Sequence, residues 1–140
     1  MIVIDGSHGE GGGQVLRTAL TLAVITERPL RVEHIRAGRK APGLRPQHLT
    51  AVRAAAAVCG AQMEGDALNS QMLTFISGGP PHPGEYVFDV AQAASGGSAG
   101  SAGLVLQTVL LPLAMAKGPS HLTIRGGTHV PWAPPVSYLT

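Results

Sequence analysis

A short apolar strand, a glycine-rich turn and an apolar run of helical period follow one another twice in this chain, and that recurrence constrains the fold most. In the first instance Met1 to Asp5 lead into 6-GSHGEGGG-13, where five of eight residues are glycine. Residues 14 to 26 then place Leu16, Ala19, Leu20 and Ala23 on one helical face. The stretch 30-LRVEHI-35 alternates as a half-buried strand. In the second instance 85-EYVFDV-90 leads through the small-residue tract 91-AQAASGGSAGSAG-103 to a helical run over 104–116 and a strand in 119-PSHLTIRGG-127. Between them lie the basic loop 36-RAGRKAPGLR-45 and a helix opened by Pro46 and closed by Gly60. Two short strands follow in 61–65 and 72–76. The expected fold class is therefore α/β, of the α+β kind, built from β-α-β-α-β-β repeats. Residues 1–78 form one repeat, 79–84 a Pro- and Gly-rich linker, and 85–140 an incomplete second repeat. Pro134 and Pro135 read as the first turn of a helix that Thr140 cuts off, so the chain is expected to be the N-terminal part of a longer protein.

Composition narrows the class further. The 140 residues are 44% hydrophobic and 13% charged, which excludes a disordered chain and allows a real core. A net charge of +2 does not by itself announce nucleic-acid binding. Placement says more, because Arg36, Arg39, Lys40 and Arg45 fall in one loop, and eight of the ten basic residues are arginine. Arginine suits bidentate phosphate contacts, although a basic loop is also what a solvated surface looks like. Cys59 is the sole cysteine, so no internal disulfide or cysteine zinc site is available, and a reducing cytoplasm fits. The start MIVIDG lacks the character of a signal peptide. The most apolar stretch, 104-LVLQTVLLPLAMA-116, is too short to span a bilayer, and no membrane partner is expected.

Local motifs leave alternatives open. The opening loop has no Gly-Lys-Ser/Thr, so it is not a Walker A sequence, and the third glycine of a dinucleotide fingerprint would fall at Gln14. Its backbone N–H groups at a helix start, Gly11, Gly12 and Gly13 among them, favour an anion. Glu10 would repel a phosphate unless a cation lay between them, which a divalent Mg2+ or Mn2+ would supply. A tight corner with an exposed Glu10 is the alternative. The i, i+3 spacing of Gln14 and Arg17 projects both beside the loop. The stretch 96-GGSAG-100 matches the nucleophile elbow G-x-S-x-G, so a serine hydrolase using Ser98 is one reading of it and a flexible glycine-serine loop is the other. No Asp or Glu follows Asp89 to complete a triad. The six histidines form no metal pattern; His8 and Asp5 flank the glycine loop, and His34 is expected within a strand.

Three stretches taken together resemble the RNA 3′-terminal phosphate cyclase family: DGSHGEGGGQVLRTAL, IRAGRKAPGLRPQHLTAV, and the pair GSAGSAGLVLQTVLLP with IRGGTHVPWAPP. They stand in family order and cover nearly the whole chain. The resemblance implies an ATP-dependent enzyme acting on RNA with a 3′-phosphate end. ATP adenylates a histidine, AMP passes to the RNA 3′-phosphate, and the neighbouring 2′-hydroxyl displaces AMP to leave a 2′,3′-cyclic phosphate. It implies Glu10 as the metal-associated carboxylate, with Arg17, Arg36, Arg39 and Gln47 around the reacting phosphates. Gln14, Gln107 and the glycines would line the nucleotide site. The nucleophilic histidine belongs to a motif absent here, so that role falls on none of the six, and the fragment alone is expected to be inactive. The remaining C-terminal part of the protein is its expected partner. A non-catalytic branch of the family, which serves as a scaffold in ribosomal RNA processing, is the alternative reading.

Overall fold

A computed structural model describes residues 1–9, 12–90 and 102–126. Glu10, Gly11, the tract 91–101 with Ser98, and residues 127–140 with Pro134 and Pro135 lie outside the described residues.

The described elements run β1 (Ile2–Asp5), α1 (Gly13–Thr26), β2 (Leu30–Glu33), α2 (Pro46–Cys59), β3 (Gln62–Glu64), β4 (Leu73–Ile76), β5 (Glu85–Asp89), α3 (Ala102–Ala114) and β6 (His121–Arg125). This is a mixed α/β chain, as the patterning predicted. The first four strands form one sheet in the order β1-β2-β4-β3. β1 and β2 pair in parallel from Ile2 opposite Leu30 to Asp5 opposite Glu33. β4 runs antiparallel to both β2 and β3. A parallel pair needs a crossover, and α1 supplies it between β1 and β2. β5 and β6 are likewise parallel, Glu85 opposite His121 and Asp89 opposite Arg125, with α3 between them. The strand–helix–strand order therefore occurs twice.

The three helices pack on one another, and their apolar stripes meet the inner faces of the strands. Leu16, Leu20 and Val24 of α1, Leu49 and Val52 of α2, Leu73 and Phe75 of β4, and Val105 and Val109 of α3 belong to one buried cluster. Among the described residues no helix is long and apolar enough to cross a membrane.

Element ends follow local chemistry. Gly60, in the left-handed region with φ of 65°, ends α2, and its N–H reaches the carbonyl of Ala56. β2 stops at Glu33 rather than at Ile35 as the alternation predicted. His34 is therefore not a strand residue: its φ of 54° and the 50° of Arg36 turn the chain out of the sheet. Ile35 still anchors the turn, because its N–H reaches Gln71 and its carbonyl accepts the N–H of Gly43. At Gly43 a side chain would collide with the backbone of Asn69, so glycine permits the arginine loop to close against residues 69–70.

Candidate functional site

The site is assembled where α1 begins. Gly12 is the N-cap of α1 and supplies no side-chain cap, and the first turn carries no acidic residue. Backbone N–H groups at such a terminus, together with the helix dipole, favour an anion. Three side chains converge on this corner, from α1, from α2 and from the loop after β2. A Cβ at Gly12 would fall 2.9 Å from Nη2 of Arg39. At Gly13 it would fall 2.5 Å from Nε2 of His48 and 2.7 Å from Nη1 of Arg17. Close approach favours glycine at Gly13, where the buried imidazole fills the space of a side chain, whereas at Gly12 that space holds only the flexible tip of Arg39.

Arg17 comes from the second turn of α1. Its residue surface is only 9% exposed, so the side chain placed on the polar face by its spacing is in fact nearly covered. Nη2 donates to Oε1 of Gln14 at 3.1 Å, while Nε has no hydrogen-bond partner. Burial lowers its pKa from the ordinary value. Gln14 is oriented by that contact and by donating from Nε2 to Thr18 Oγ1 at 3.0 Å. A cleft of about 400 Å³ runs between α1 and α3, lined by Gln14, Arg17, Thr18, Thr21 and Gln107 among others. Gln14, Arg17 and Gln107, which sequence reasoning took from two separate repeats, therefore share one cleft.

The loop after β2 brings the remaining arginines. Arg36 turns back on its own loop, with Nη1 donating to the carbonyls of Ala41 at 2.6 Å and Gly43 at 3.0 Å. Burial first, then Arg39 and Arg45, lower its pKa. Arg36 thus shapes the loop that presents Arg39. Gln47 is half-buried in the first turn of α2. Asp5, at the other edge of the glycine turn, is engaged locally: Oδ1 accepts from the N–H of Ser7 at 2.9 Å and its hydroxyl at 2.6 Å, and lies 3.3 Å from Nδ1 of His34. Those contacts, the Ser7 hydroxyl first, hold its carboxyl below the usual carboxylate range.

His48 is the residue that sequence reasoning did not single out. It is 4% exposed, and its Nδ1 accepts the backbone N–H of Arg45 at 3.1 Å. Burial, then Arg36, Arg17 and Arg45, push its pKa down to about 3, so the ring is neutral at ordinary pH. The available signal was its place two residues after Pro46, where a side chain can cap the turn that Pro46 opens.

Among the described residues no group of three or more His, Cys, Asp and Glu side chains could hold a metal ion. Glu10, the carboxylate expected to do so, and the loop glycine Gly11 lie outside them. What the described corner does offer is positive charge and N–H donors around one glycine-lined point.

Fold and corner together define a mixed α/β protein whose described residues gather arginine side chains at a glycine-flanked helix N-terminus. The family model described as RNA 3′-terminal phosphate cyclase matches residues 8–140, and the chain belongs to that family. It is 63% identical over 139 residues to the RNA 3′-terminal phosphate cyclase of Trichormus variabilis, which covers 99% of this chain and 40% of the relative. The proteins of the same name from Methylococcus capsulatus and Salmonella enteritidis are 56% and 52% identical over 139 residues, covering 99% of this chain and 38% and 39% of the relatives. The chain thus spans about 40% of the length of the curated relatives it matches.

Proposed function

We propose that this chain carries the nucleotide- and phosphate-binding part of an ATP-dependent enzyme that converts an RNA 3′-terminal phosphate to a 2′,3′-cyclic phosphate. The observation that carries the reading is the convergence of Arg17 and Arg39 on the uncapped α1 terminus at Gly12 and Gly13. A triphosphate and an RNA terminal phosphate are both anionic, and their approach requires neutralisation by fixed donors in a partly desolvated site. Arg17, nearly buried and with Nε unpartnered, has a hydrogen bond to give. Gln14 and Gln107 face the cleft on either side.

In the reaction this reading implies, a histidine outside this chain's motifs bonds to the α-phosphorus of ATP and pyrophosphate leaves; an oxygen of the RNA 3′-phosphate then bonds to that phosphorus as its bond to histidine breaks. The 2′-hydroxyl oxygen bonds to the RNA phosphorus and gives its proton to solvent, the bond from that phosphorus to AMP breaks, and AMP leaves. A divalent Mg2+ or Mn2+ with Glu10 belongs to the same proposal, but within the described residues charge neutralisation falls to the arginines. The chain on its own binds without forming a stable histidyl-AMP; an acid-labile radiolabelled adduct with ATP contradicts that.

The direct test is calorimetric titration of the chain with ATP and with inorganic tripolyphosphate at low salt. Both bind, and Arg17→Ala or Arg39→Ala weakens binding about tenfold or more, because each removes a charge-assisted hydrogen bond. Arg53→Ala, on the exposed side of α2, leaves affinity unchanged. Absence of binding by the unsubstituted chain ends the reading.

A further inference from the structure

Of the groups packed around Gly13, His48 is the one that no role yet explains. Its ring reaches the corner from α2, so that Nε2 and Cδ2 would stand 2.5 Å and 2.7 Å from a Cβ at Gly13. Arg17 Nη1 closes on the same point at 2.7 Å. We propose that His48 is a further ligand-binding residue of this corner, its Nε2–H donating to a phosphate oxygen at the N-terminus of α1 while Nδ1 is held by the backbone of Arg45. The inference rests on the phosphate-site reading above.

The tautomer follows from the hydrogen bond. A backbone N–H only donates, so Nδ1 at 3.1 Å must offer its lone pair. A neutral imidazole has one ring proton, which is then on Nε2, the nitrogen at Gly13. The ring's charge state follows from its neighbours. Arg17 from α1, and Arg36 and Arg45 from the arginine loop, act on it in addition to burial, and no carboxylate is among the described groups that do. Protonation would put another cation among arginines. A neutral donor adds a hydrogen bond to an anion without adding that repulsion. An arginine or lysine here would have to be held against the charges of its neighbours.

A second feature points to a ligand at the same place. Arg17 is more than nine-tenths buried, yet its Nε has no hydrogen-bond partner. Its Nη1 and the imidazole Nε2 face the same glycine. Two donors from two helices thus stand beside the N–H groups of an uncapped 14-residue helix, the arrangement a tetrahedral oxyanion satisfies.

Two substitutions separate the two nitrogens. In His48→Asn the amide oxygen takes the place of Nδ1 and keeps the bond to Arg45, but nothing reaches the position of Nε2. In His48→Gln the amide nitrogen reaches the position of Nε2 while the acceptor for Arg45 is lost. Titrated with inorganic tripolyphosphate, His48→Gln binds within about threefold of the unsubstituted chain and melts about 4 °C or more lower. His48→Asn keeps its Tm and binds about tenfold more weakly. Wild-type affinity in His48→Asn overturns the proposal, as does a loss of affinity in both variants that only tracks their loss of stability. If Arg17→Ala loses tripolyphosphate while His48→Asn does not, the phosphate site stands and only the role of His48 fails. Long-range proton–nitrogen spectra give an independent readout: an Nε2–H ring from pH 5 to 8 whose Nε2 resonance moves on adding tripolyphosphate. An Nδ1–H ring overturns the assignment.

Discussion

At the scale of single residues, the corner is governed by which groups stay neutral. His48 has an ordinary pKa of about 6.5 in an unfolded chain and about 3 here, so its charged form is disfavoured by folding. Between those values the unfolded chain binds more protons than the folded one. Its contribution to stability is therefore fully present above pH 6.5 and is lost as pH falls towards 3, at roughly 1.4 kcal/mol per unit. Urea unfolding between pH 6 and 4 should show a steeper acid loss for the unsubstituted chain than for His48→Asn. Equal slopes would contradict a buried neutral ring. Gly13→Ala tests the packing of the same ring. The added methyl meets His48 Nε2 at 2.5 Å, and a buried ring moves less easily than the arginine tips nearby. Alanine gains about 1 kcal/mol of helix propensity over glycine, whereas overpacking costs about 1–3 kcal/mol, so a net loss in thermal unfolding is expected. Arg17 and Gln14 were legible in the sequence because their spacing and the glycine loop are local. His48 was not, because its role depends on α2 lying against the start of α1.

At the scale of elements, α3 carries a proline within its apolar run. Pro112 lies inside the helix and has no N–H to give the carbonyl four residues back, which is that of Thr108. That carbonyl is met from another helix: Thr21 Oγ1 of α1 lies 2.8 Å from it, and 3.0 Å from the carbonyl of Arg17. One hydroxyl proton serves whichever carbonyl it faces, and the shorter contact is the one between helices. The proline thus creates an acceptor that ties α1 to α3 across the cleft holding Arg17 and Gln107. Thr21→Val removes the donor with little change of shape and should cost about 1–2 kcal/mol. In a Pro112→Ala background the restored N–H bonds Thr108, and the same change should cost less than half as much. A double-mutant cycle by urea denaturation measures the coupling, and strict additivity would refute it. The helices themselves were legible from periodicity, to within two residues at their ends. The bond between them was not, because it joins residues 87 apart in sequence.

At the scale of the whole molecule, the repeated order of elements raises the question of whether its two parts fold separately. We propose residues 1–78 and 85–140 as the two repeats, with 79–84 between them, and the core does not respect that boundary. Leu16 and Leu20 of α1, Val52 of α2 and Phe75 of β4 share one buried cluster with Val90, Val105, Val109 and Leu113. The joining segment is also held: Gly78 N–H reaches the carbonyl of Cys59, and His82 N–H that of Val58, both at the end of α2. Sequence patterning showed two similar units but could not show that α3 would lie against α1 and α2. A cluster shared in this way unfolds as one, since opening α3 alone exposes apolar surface on all three helices. Native-state hydrogen exchange is the measurement that decides. Amide protons in the middle of α1, α2 and α3 should exchange through openings of the same free energy, and mild denaturant should lower all three in parallel. A separate, cheaper opening confined to α3 and β6 would show that the second repeat is an independent unit and that the shared core does not bind the two together.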